Sequence, residues 1–353
     1  MPIGKTLYLW GSEDCYIHAD RGAIRLKVGD VYKDIPYGSI SDIIVSGHTT
    51  LSVPFMDNCA KHNITVQYLD ATGRYMGSFM GNCTGNVKLR KKQFDMLDDT
   101  DKSCRFVRAV LTAKLLNSAR TLRDFAHHGV SDDVKNCVND IVARIKAHAA
   151  KLCYAESIDD MRIIEANAAR DYFLAFAKLN RSEDAAMQFN RRTYRPPLDN
   201  VNALLSYFYS IMTSLCNSSL MCAGLDPECG YLHGLRPGRH SLACDLVEEF
   251  RSPVVDRFVL RLINRKEVSG DSFVSNNDGI RITDDARRKI LGKWQDYLSE
   301  TTVDYSVNKT RHLPFRQVVF EQGMQLARFI RGDIEDYPAY YSGISNMRSR
   351  EEG

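Results

Sequence analysis

The 353-residue sequence lacks most of the short motifs that identify an enzyme class or a secreted protein. It has no Walker-type GxxxxGKS/T loop and no dinucleotide-binding GxGxxG motif, so nucleotide hydrolysis and hydride transfer lose their usual support. Its ten cysteines include no CxxC pair and follow no regular spacing, which argues against a disulfide framework. The first fifteen residues lack the apolar core of a secretory signal, so we expect a reducing, cytoplasmic location.

No stretch is apolar enough over its whole length to predict a membrane span. Residues 201–223 are the most apolar long run, but polar residues such as Asn202, Ser206 and Asn217 interrupt it. We therefore predict a buried core helix there and no membrane partner. The hydrophobic share of 44% and the charged share of 26% are those of a globular protein, and the length favours two domains.

The net charge is only +3, but the basic residues are unevenly distributed. Residues 85–125 contain ten lysines and arginines against five aspartates. Such a cluster can hold an anionic polymer even when the whole protein is nearly neutral. A solvated helix face is the alternative interpretation of the same charges.

The pattern of hydrophobic residues predicts an α+β protein. Short β-branched and aromatic runs separated by turn residues indicate an N-terminal β-sandwich-like domain over residues 1–80. A basic junction follows at 81–100, then a larger all-α catalytic domain at 101–340 and a disordered tail at 341–353. The main predicted helices span about Lys102–Phe125, Ser157–Leu179, Val201–Cys222, Leu242–Ile263, Asp284–Leu298 and Phe315–Ile330.

Glu165 lies in the middle of a predicted helix, on the same face as Met161, Ala168 and Tyr172. A carboxylate on an apolar face is costly to bury unless it is paired or binds a cation. The position therefore predicts either a metal ligand or a buried ion pair with an arginine elsewhere in the chain.

Asp245 and Glu248 stand three residues apart in the predicted helix LACDLVEEFR. That spacing puts both carboxylates on one side of a helix, where they repel each other unless a cation lies nearby. The alternative is a solvent-exposed face, which is where we expect Glu249. Upstream, His233 lies in the irregular segment GLDPECGYLHGLRPGRH, and such loops can bring a side chain close to a ligand. A surface histidine is the alternative there.

Glu165, His233 and Glu248 combine carboxylates with one imidazole, a donor set that suits Mg²⁺ or Mn²⁺ better than zinc. Cys222 and Cys229 lie near His233 but match no common zinc spacing. Arginines surround these residues in the sequence, and guanidinium groups beside a divalent ion suit phosphodiester chemistry. The candidate DNA-binding residues are Arg192, Arg195, Arg236, Arg239, Arg251, Lys91 and Lys92.

Four segments carry a resemblance to a known family. They are IIEANAARDYF around Glu165, RRTYRPPLDNVNALLSYFY at 191–209, AGLDPECGYLHGLRPGRHSLACDLVEEFRSPVVDRFV at 223–259 and RQVVFEQGMQLARFIRG at 316–332. In this order they resemble the CRISPR-associated endonuclease/integrase family (Cas family one), the catalytic subunit of spacer acquisition. The resemblance covers nearly the whole chain.

This resemblance implies metal ligands at Glu165, His233 and Glu248, with Asp245 as a supporting acidic residue. Some members have Asp at the position of Glu248, and many have Gly where this chain has Ala166. The resemblance also implies a homodimer formed largely by β domains, and a small companion subunit (Cas family two). The expected substrate is duplex DNA whose 3′-OH ends attack a CRISPR repeat, and an end-trimming nuclease subunit is left open.

Two other functions remain open on the residues alone. A structure-selective repair nuclease for branched DNA would hydrolyse DNA without joining it. A non-enzymatic DNA-binding scaffold would use the acidic cluster only for its structure. RNA processing has less support, because the aromatic motifs of common RNA-binding modules are missing. The sequence also leaves open whether His233 is only a ligand or accepts a proton.

Overall fold

The structure is a computed structural model that describes residues 5–28, 31–69, 75–81, 87–127, 129–193, 196–276, 279–307 and 310–342. Its strands are β1 (Lys5–Asp20), β2 (Ala23–Val28), β3 (Val31–Pro36), β4 (Ile40–Leu51), β5 (Thr65–Leu69), β6 (Tyr75–Phe79), β7 (Phe273–Asn276), β8 (Gly279–Ile282), β9 (Thr302–Ser306) and β10 (Thr310–Pro314). Its helices are α1 (Val53–Lys61), α2 (Val87–Asp98), α3 (Thr100–Ala126), α4 (Asp132–Lys151), α5 (Ile158–Leu179), α6 (Asn200–Cys222), α7 (Ser241–Val247), α8 (Arg257–Asn264), α9 (Asp284–Glu300) and α10 (Phe315–Arg331). A strand-rich region thus precedes a mostly helical one, and the predicted α+β class is confirmed.

Two compact units make up the chain. The first combines residues 1–86 with 283–300, and the second combines 87–282 with 301–353. The predicted junction at 81–100 is different in the structure, because α2 is helical and begins the second unit. The helix α9, which the sequence assigned to the catalytic region, belongs to the β-rich unit. Of the predicted tail at 341–353, residues 343–353 lie outside the described part.

The first unit is built on one mixed sheet with the strand order β3-β2-β1-β4-β5-β6. The β1–β4 and β4–β5 pairs are parallel, and the other neighbouring strands are antiparallel. The sequence predicted hairpins packed as a small sandwich, whereas in the structure the six strands described in this unit form one continuous sheet. This is possible because β1 is long: it pairs with β2 over residues 15–20 and with β4 along most of its length.

The core of the first unit lies where alternate strand residues meet α1. Ile17, Ile43 and Val66 are fully buried, and Phe55 of α1 packs in the same cluster. The helix begins at Ser52, whose Oγ accepts a hydrogen bond from the backbone N–H of Phe55, an N-cap that the serine side chain favours.

The second unit is helical, with two short hairpins, β7–β8 and β9–β10. Helices α3, α4 and α5 pack together, and α6 packs against α7 and α10. The prediction that residues 201–223 form a buried core helix is confirmed, because Leu204, Phe208 and Met212 of α6 are fully buried. Within the described ranges, no helix has the length and hydropathy that a membrane span requires.

Local capping signals located several helix ends well. Ser157 caps α5 in a reciprocal capping box with Asp160, and the helix ends at Leu179 as predicted. Asp199 caps α6, as its sequence position indicated. The side chain of each capping residue accepts a hydrogen bond from a backbone N–H of the first turn, so both helices begin at defined residues.

The predicted continuous helix over Leu242–Ile263 is wrong. The segment consists of α7, a turn, a π-helical stretch at Arg251–Asp256 and then α8. Pro253 lacks a backbone N–H, so it cannot supply the regular helical hydrogen bond to the carbonyl of Glu249. Single π-helical turns occur frequently at functional sites, and this one directly follows Glu248.

Candidate metal and active site

Glu165 lies near the middle of α5, on the face that packs toward α3. Its side chain is 24% exposed, which is low for a carboxylate, and Ala168 on the next turn is buried. The sequence alternatives for Glu165 were a metal ligand or an ion pair with an arginine. The structure has an ion pair, but the partner is Lys114 of α3, whose Nζ lies 2.5 Å from Glu165 Oε1.

His233 is held in its loop by Asp245, a fully buried residue of α7. The carboxylate of Asp245 accepts backbone N–H groups from Tyr231, Leu232 and His233, at 2.6, 3.0 and 2.9 Å. Its Oδ1 also lies 2.8 Å from Nδ1 of the His233 ring. Since a carboxylate oxygen accepts and does not donate, Nδ1 carries a proton in this contact, and in the neutral form of the ring the lone pair is on Nε2.

Glu248 follows α7 directly, and its side chain is 3% exposed. Lys114 Nζ lies 2.6 Å from its Oε2, and Arg251 Nη2 lies 3.2 Å from its Oε1. The ring of His233 approaches the same carboxylate, with Nε2 at 3.9 Å from Oε1. Glu165 and Glu248, from separate segments, therefore share one ammonium group, and His233 lies beside Glu248.

Charge controls the protonation state of this cluster. Burial by itself disfavours the charged form of Glu248, but Arg251, Lys114 and His233 outweigh it and lower its pKa to about 2. Burial likewise disfavours the charged form of Lys114, but Glu248 and Glu165 outweigh it and raise its pKa. At neutral pH the cluster holds an ionised Glu248 carboxylate and a protonated lysine.

Lys114 was not among the site residues predicted from the sequence. It was counted only among the basic residues of the 85–125 stretch. A signal was nevertheless present, because Lys114 falls three residues after Leu111 and four before Ser118, on the buried face of α3. A lysine on an apolar face requires a partner for the same reason as Glu165 does.

Arg251 is fixed by an aromatic ring. Its guanidinium carbon lies 4.7 Å from the ring centre of Tyr209, and that of Arg192 lies 5.3 Å from the same ring. The Tyr209 hydroxyl donates to the buried carboxylate of Asp256, as does that of Tyr172 at 2.8 Å. Burial raises the pKa of Asp256 to about 6, although both tyrosine hydroxyls oppose this shift.

The expectation that Glu249 faces solvent is wrong. Its side chain is fully buried and accepts hydrogen bonds from Gln322 Nε2, Tyr337 Oη and the backbone N–H of Tyr340. Glu249 therefore ties the helix end that carries Glu248 to α10 and to the segment that follows α10. The adjacent residues Glu248 and Glu249 thus have different surroundings: Glu248 contacts Lys114 and Arg251, whereas Glu249 contacts α10 and the segment after it.

The candidate DNA-binding residues are placed differently from one another. Arg192 and Arg251 meet at Tyr209, beside the acidic cluster. In the loop that carries His233, Arg236 is exposed and Arg239 donates to the carbonyl of Gly234. On α2, Lys91 pairs with Asp95 and Lys92 donates to the carbonyl of Arg331. Arg195 lies outside the described residues.

No preformed metal site exists among the described residues, in the sense of three acidic, histidine or cysteine side chains already arranged around one point. The donor set nevertheless suits a hard divalent ion. Oε2 of Glu248 is buried against the Lys114 ammonium, and Nε2 of His233 lies 3.9 Å from Oε1 of the same carboxylate. A cation already lies between Glu165 and Glu248, so this position stabilises positive charge.

Comparison with known sequences gives consistent results. A family model described as CRISPR associated protein Cas1 matches residues 7–296. The CRISPR-associated endonuclease Cas1 1 of Moorella thermoacetica is 33% identical over 335 residues, 94% of this chain and 97% of that protein. A CRISPR-associated exonuclease Cas4/endonuclease Cas1 fusion of Rhodospirillum rubrum is 31% identical over 315 residues, 88% of this chain and 53% of the fusion.

Two solved structures share the fold. A casposase bound to integration product superposes with a TM-score of 0.80 at 22% identity, covering 98% of this chain and 97% of that chain. A chain of a Cas6-RT-Cas1–Cas2 complex gives 0.79 at 23% identity, covering 98% of this chain and 37% of that chain. These two likenesses concern the fold, whereas the family model and the Moorella relative extend over most of the sequence itself. Because the family model and this relative match most of the sequence, the chain belongs to the CRISPR-associated Cas1 family.

Proposed function

We propose that this chain is a divalent-metal-dependent DNA endonuclease and integrase, which inserts short duplex DNA into a CRISPR array. One observation carries the proposal. Glu165 and Glu248, which are 83 positions apart in the sequence, have their carboxylates within 2.6 Å of one shared cation, and His233 lies beside Glu248. The printed names of the relatives, CRISPR-associated endonucleases, support the same activity.

The proposed metal ligands are Glu165, His233 and Glu248, and the proposed ion is Mg²⁺ or Mn²⁺. Such an ion, when bound, supplies Lewis-acid stabilisation of the negative charge that develops on the phosphate oxygens. Asp245 acts as a positioning residue: it fixes the ring and the tautomer of His233 through the Nδ1 contact. In the neutral form of the ring, Nε2 of His233 can serve as a ligand or accept a proton from the attacking hydroxyl.

Attack on the phosphodiester by a 3′-OH gives strand joining, and attack by water gives nicking. Arg251 provides a fixed positive charge beside Glu248, because Tyr209 holds its guanidinium in place. The basic residues Arg192, Arg236, Arg239, Lys91 and Lys92 would add salt-sensitive contacts to DNA phosphates that do not depend on sequence.

The proposed partners are duplex DNA, a second copy of this chain and a small companion subunit. A solved neighbour whose title names a Cas1–Cas2 complex supports the companion subunit. A relative in which an exonuclease, Cas4, is fused to the endonuclease supports an end-trimming partner. The proposed location is the cytoplasm.

The test is strand transfer of a labelled duplex into a supercoiled plasmid that carries a CRISPR repeat. The protein is assayed with its companion subunit, in Mn²⁺ and in EDTA, alongside His233→Ala and the control His312→Ala. His312 is exposed and pairs with Asp304, so its removal should leave joining unchanged. We expect metal-dependent joining that disappears only in His233→Ala.

The two alternative functions give different results in the same assay. Cutting without joining would favour a repair nuclease for branched DNA. DNA binding that survives in both variants, without any cutting or joining, would favour a scaffold. Joining that persists in His233→Ala would show that the proposed site is not the reacting one.

A further inference from the structure

Lys114 occupies the place between two of the proposed metal ligands. Its Nζ lies 2.5 Å from Glu165 Oε1 and 2.6 Å from Glu248 Oε2, and its side chain is only 14% exposed. Two carboxylates this close repel each other when both are ionised and no cation is present. A buried ammonium between them removes that repulsion.

We propose that Lys114 is an internal counter-ion of the metal site, which holds Glu165 and Glu248 in position and must move away when a divalent ion binds. This inference rests on the proposed function, because it takes both glutamates as metal ligands. Lys114 is then a positioning residue that competes with the metal for the same carboxylates.

The ammonium and a divalent ion cannot occupy this place together. A hard divalent ion binds carboxylate oxygens at roughly 2.0–2.2 Å, closer than the ammonium lies to the same oxygens. At such separations the repulsion between the ion and a protonated lysine far exceeds thermal energy, even when the surroundings screen it. Metal binding is therefore an exchange of one cation for another.

Of the two basic residues that touch Glu248, Lys114 is the one that can yield. Arg251 is a planar group stacked on Tyr209, and the Tyr209 hydroxyl is anchored on buried Asp256. Lys114 carries its charge at the end of a flexible four-carbon stem, so its ammonium can move without any change in α3.

The structure also contains space for this movement. A cavity of about 50 Å³ adjoins Lys114 and Glu165 and extends to Tyr172 and Asp256. An ammonium group is about as large as a water molecule, and a cavity of this size accommodates one. Its walls are partly apolar, with Leu115, Ile145 and Phe173 among them, but the side chains of Ser118 and Asp256 also line it and supply oxygen acceptors for a displaced ammonium.

The first measurement is Mn²⁺ affinity, read from the electron paramagnetic resonance signal of free Mn²⁺ with the full-length protein. We expect Lys114→Met to bind Mn²⁺ at least about tenfold more tightly than the natural protein, because the competing charge is gone. Lys114→Arg keeps the charge and should bind no more tightly than the natural protein. Lys146→Met removes an exposed lysine from α4, and its affinity should be unchanged.

The second measurement guards against a variant that folds poorly. Lys114→Gln keeps a hydrogen-bond donor but no charge, so it should also bind Mn²⁺ more tightly. Without metal, both neutral variants should melt at a lower temperature than the natural protein. Addition of Mn²⁺ should raise their melting temperatures by more than it raises that of the natural protein.

Failure of this inference differs from failure of the proposed function. Unchanged or weaker Mn²⁺ binding in Lys114→Met and Lys114→Gln, together with weaker binding in Glu165→Gln, would overturn the role of Lys114 alone. Mn²⁺ binding that Glu165→Gln does not weaken would contradict the proposed metal site itself.

Discussion

The side chain of Asn117, on α3, donates a hydrogen bond to the backbone carbonyl of Glu249 at a distance of 3.0 Å. This is the carbonyl that loses its regular helical donor at Pro253. The same Nδ2 donates to the carbonyl of Tyr340 at 2.9 Å, and Oδ1 accepts from the backbone N–H of Ser342 at 2.8 Å. One buried amide thus satisfies three backbone groups around the segment that carries Glu248.

Replacing Asn117 by alanine should therefore destabilise the protein strongly. Each buried backbone group left without a partner costs about 1–3 kcal/mol, so we expect a loss of about 3 kcal/mol in the free energy of unfolding. The measurement is urea denaturation. Asn167→Ala, which removes an exposed bond to the carbonyl of Ile163, should change stability by less than about 0.5 kcal/mol. Similar losses in the two variants would contradict this account of Asn117.

Asp245→Asn should impair the site although its side-chain volume hardly changes. An amide has one acceptor oxygen instead of two, and its NH₂ group would face N–H donors from Tyr231, Leu232 or His233. We expect a loss of about 2 kcal/mol in stability and a mixture of His233 tautomers, detected by ¹⁵N NMR of the imidazole. Asp226→Asn in the same loop is the control, because among the described residues the side chain of Asp226 accepts from one backbone N–H, that of Glu228. A single unchanged His233 tautomer in Asp245→Asn would rule out the positioning role.

Gly323 marks a close approach between α10 and α6. A Cβ atom at this position would lie 2.2 Å from Ser219 Oγ and 3.0 Å from the backbone oxygen of Ser219. We expect Gly323→Ala to destabilise the protein by about 1–3 kcal/mol, even though alanine is the better helix former. Gly292→Ala on α9 has open space around its new Cβ and should instead stabilise the protein by about 0.5–1 kcal/mol. Thermal denaturation of both variants tests the pair, and a shift of the same sign in both would contradict it.

The features that sequence predicted well depend on neighbouring residues. Ser157 and Asp160 lie within one turn, so their capping box can be recognised without knowledge of the rest of the fold. The apolar run of α6 is likewise visible within its own length. Glu165, His233 and Glu248 were selected partly on local chemistry and partly on family resemblance, and their roles stay predictions.

The features that sequence missed depend on contacts between distant segments. Lys114 and Glu165 are 51 positions apart, and no local pattern pairs a lysine on one helix with a glutamate on another. Glu249 is polar and follows Glu248, so its burial depends on partners such as Tyr337, which is 88 positions away. The membership of α9 in the first unit also rests on a distant contact, the hydrogen bond from Gln295 to the carbonyl of Thr6.

Asp256 gives a prediction about pH, because burial raises its pKa from 3.8 to about 6. Between these two values the folded protein keeps Asp256 protonated, whereas the unfolded chain has already released the proton. The folded state therefore binds more protons, and stability falls as pH rises through this window. The groups around the carboxylate are the hydroxyls of Tyr172 and Tyr209 and, farther away, the guanidinium groups of Arg251 and Arg192.

The expected contribution of Asp256 is a loss of about 2 kcal/mol in the free energy of unfolding between pH 4 and pH 7. The asparagine side chain of Asp256→Asn cannot ionise, so the variant should lack this pH-dependent loss of stability. The pH dependence that comes from all other titratable groups is the same in both proteins. Among those shared groups is Glu249, whose pKa burial raises to about 7. Urea denaturation at several pH values measures the free energy of unfolding of both proteins. As pH rises, any stability advantage of the natural protein over Asp256→Asn should become smaller or change sign. A difference that stays constant from pH 4 to pH 7 would mean that Asp256 ionises at the same pH in the folded and unfolded states, and that its burial is compensated by the two tyrosine hydroxyls.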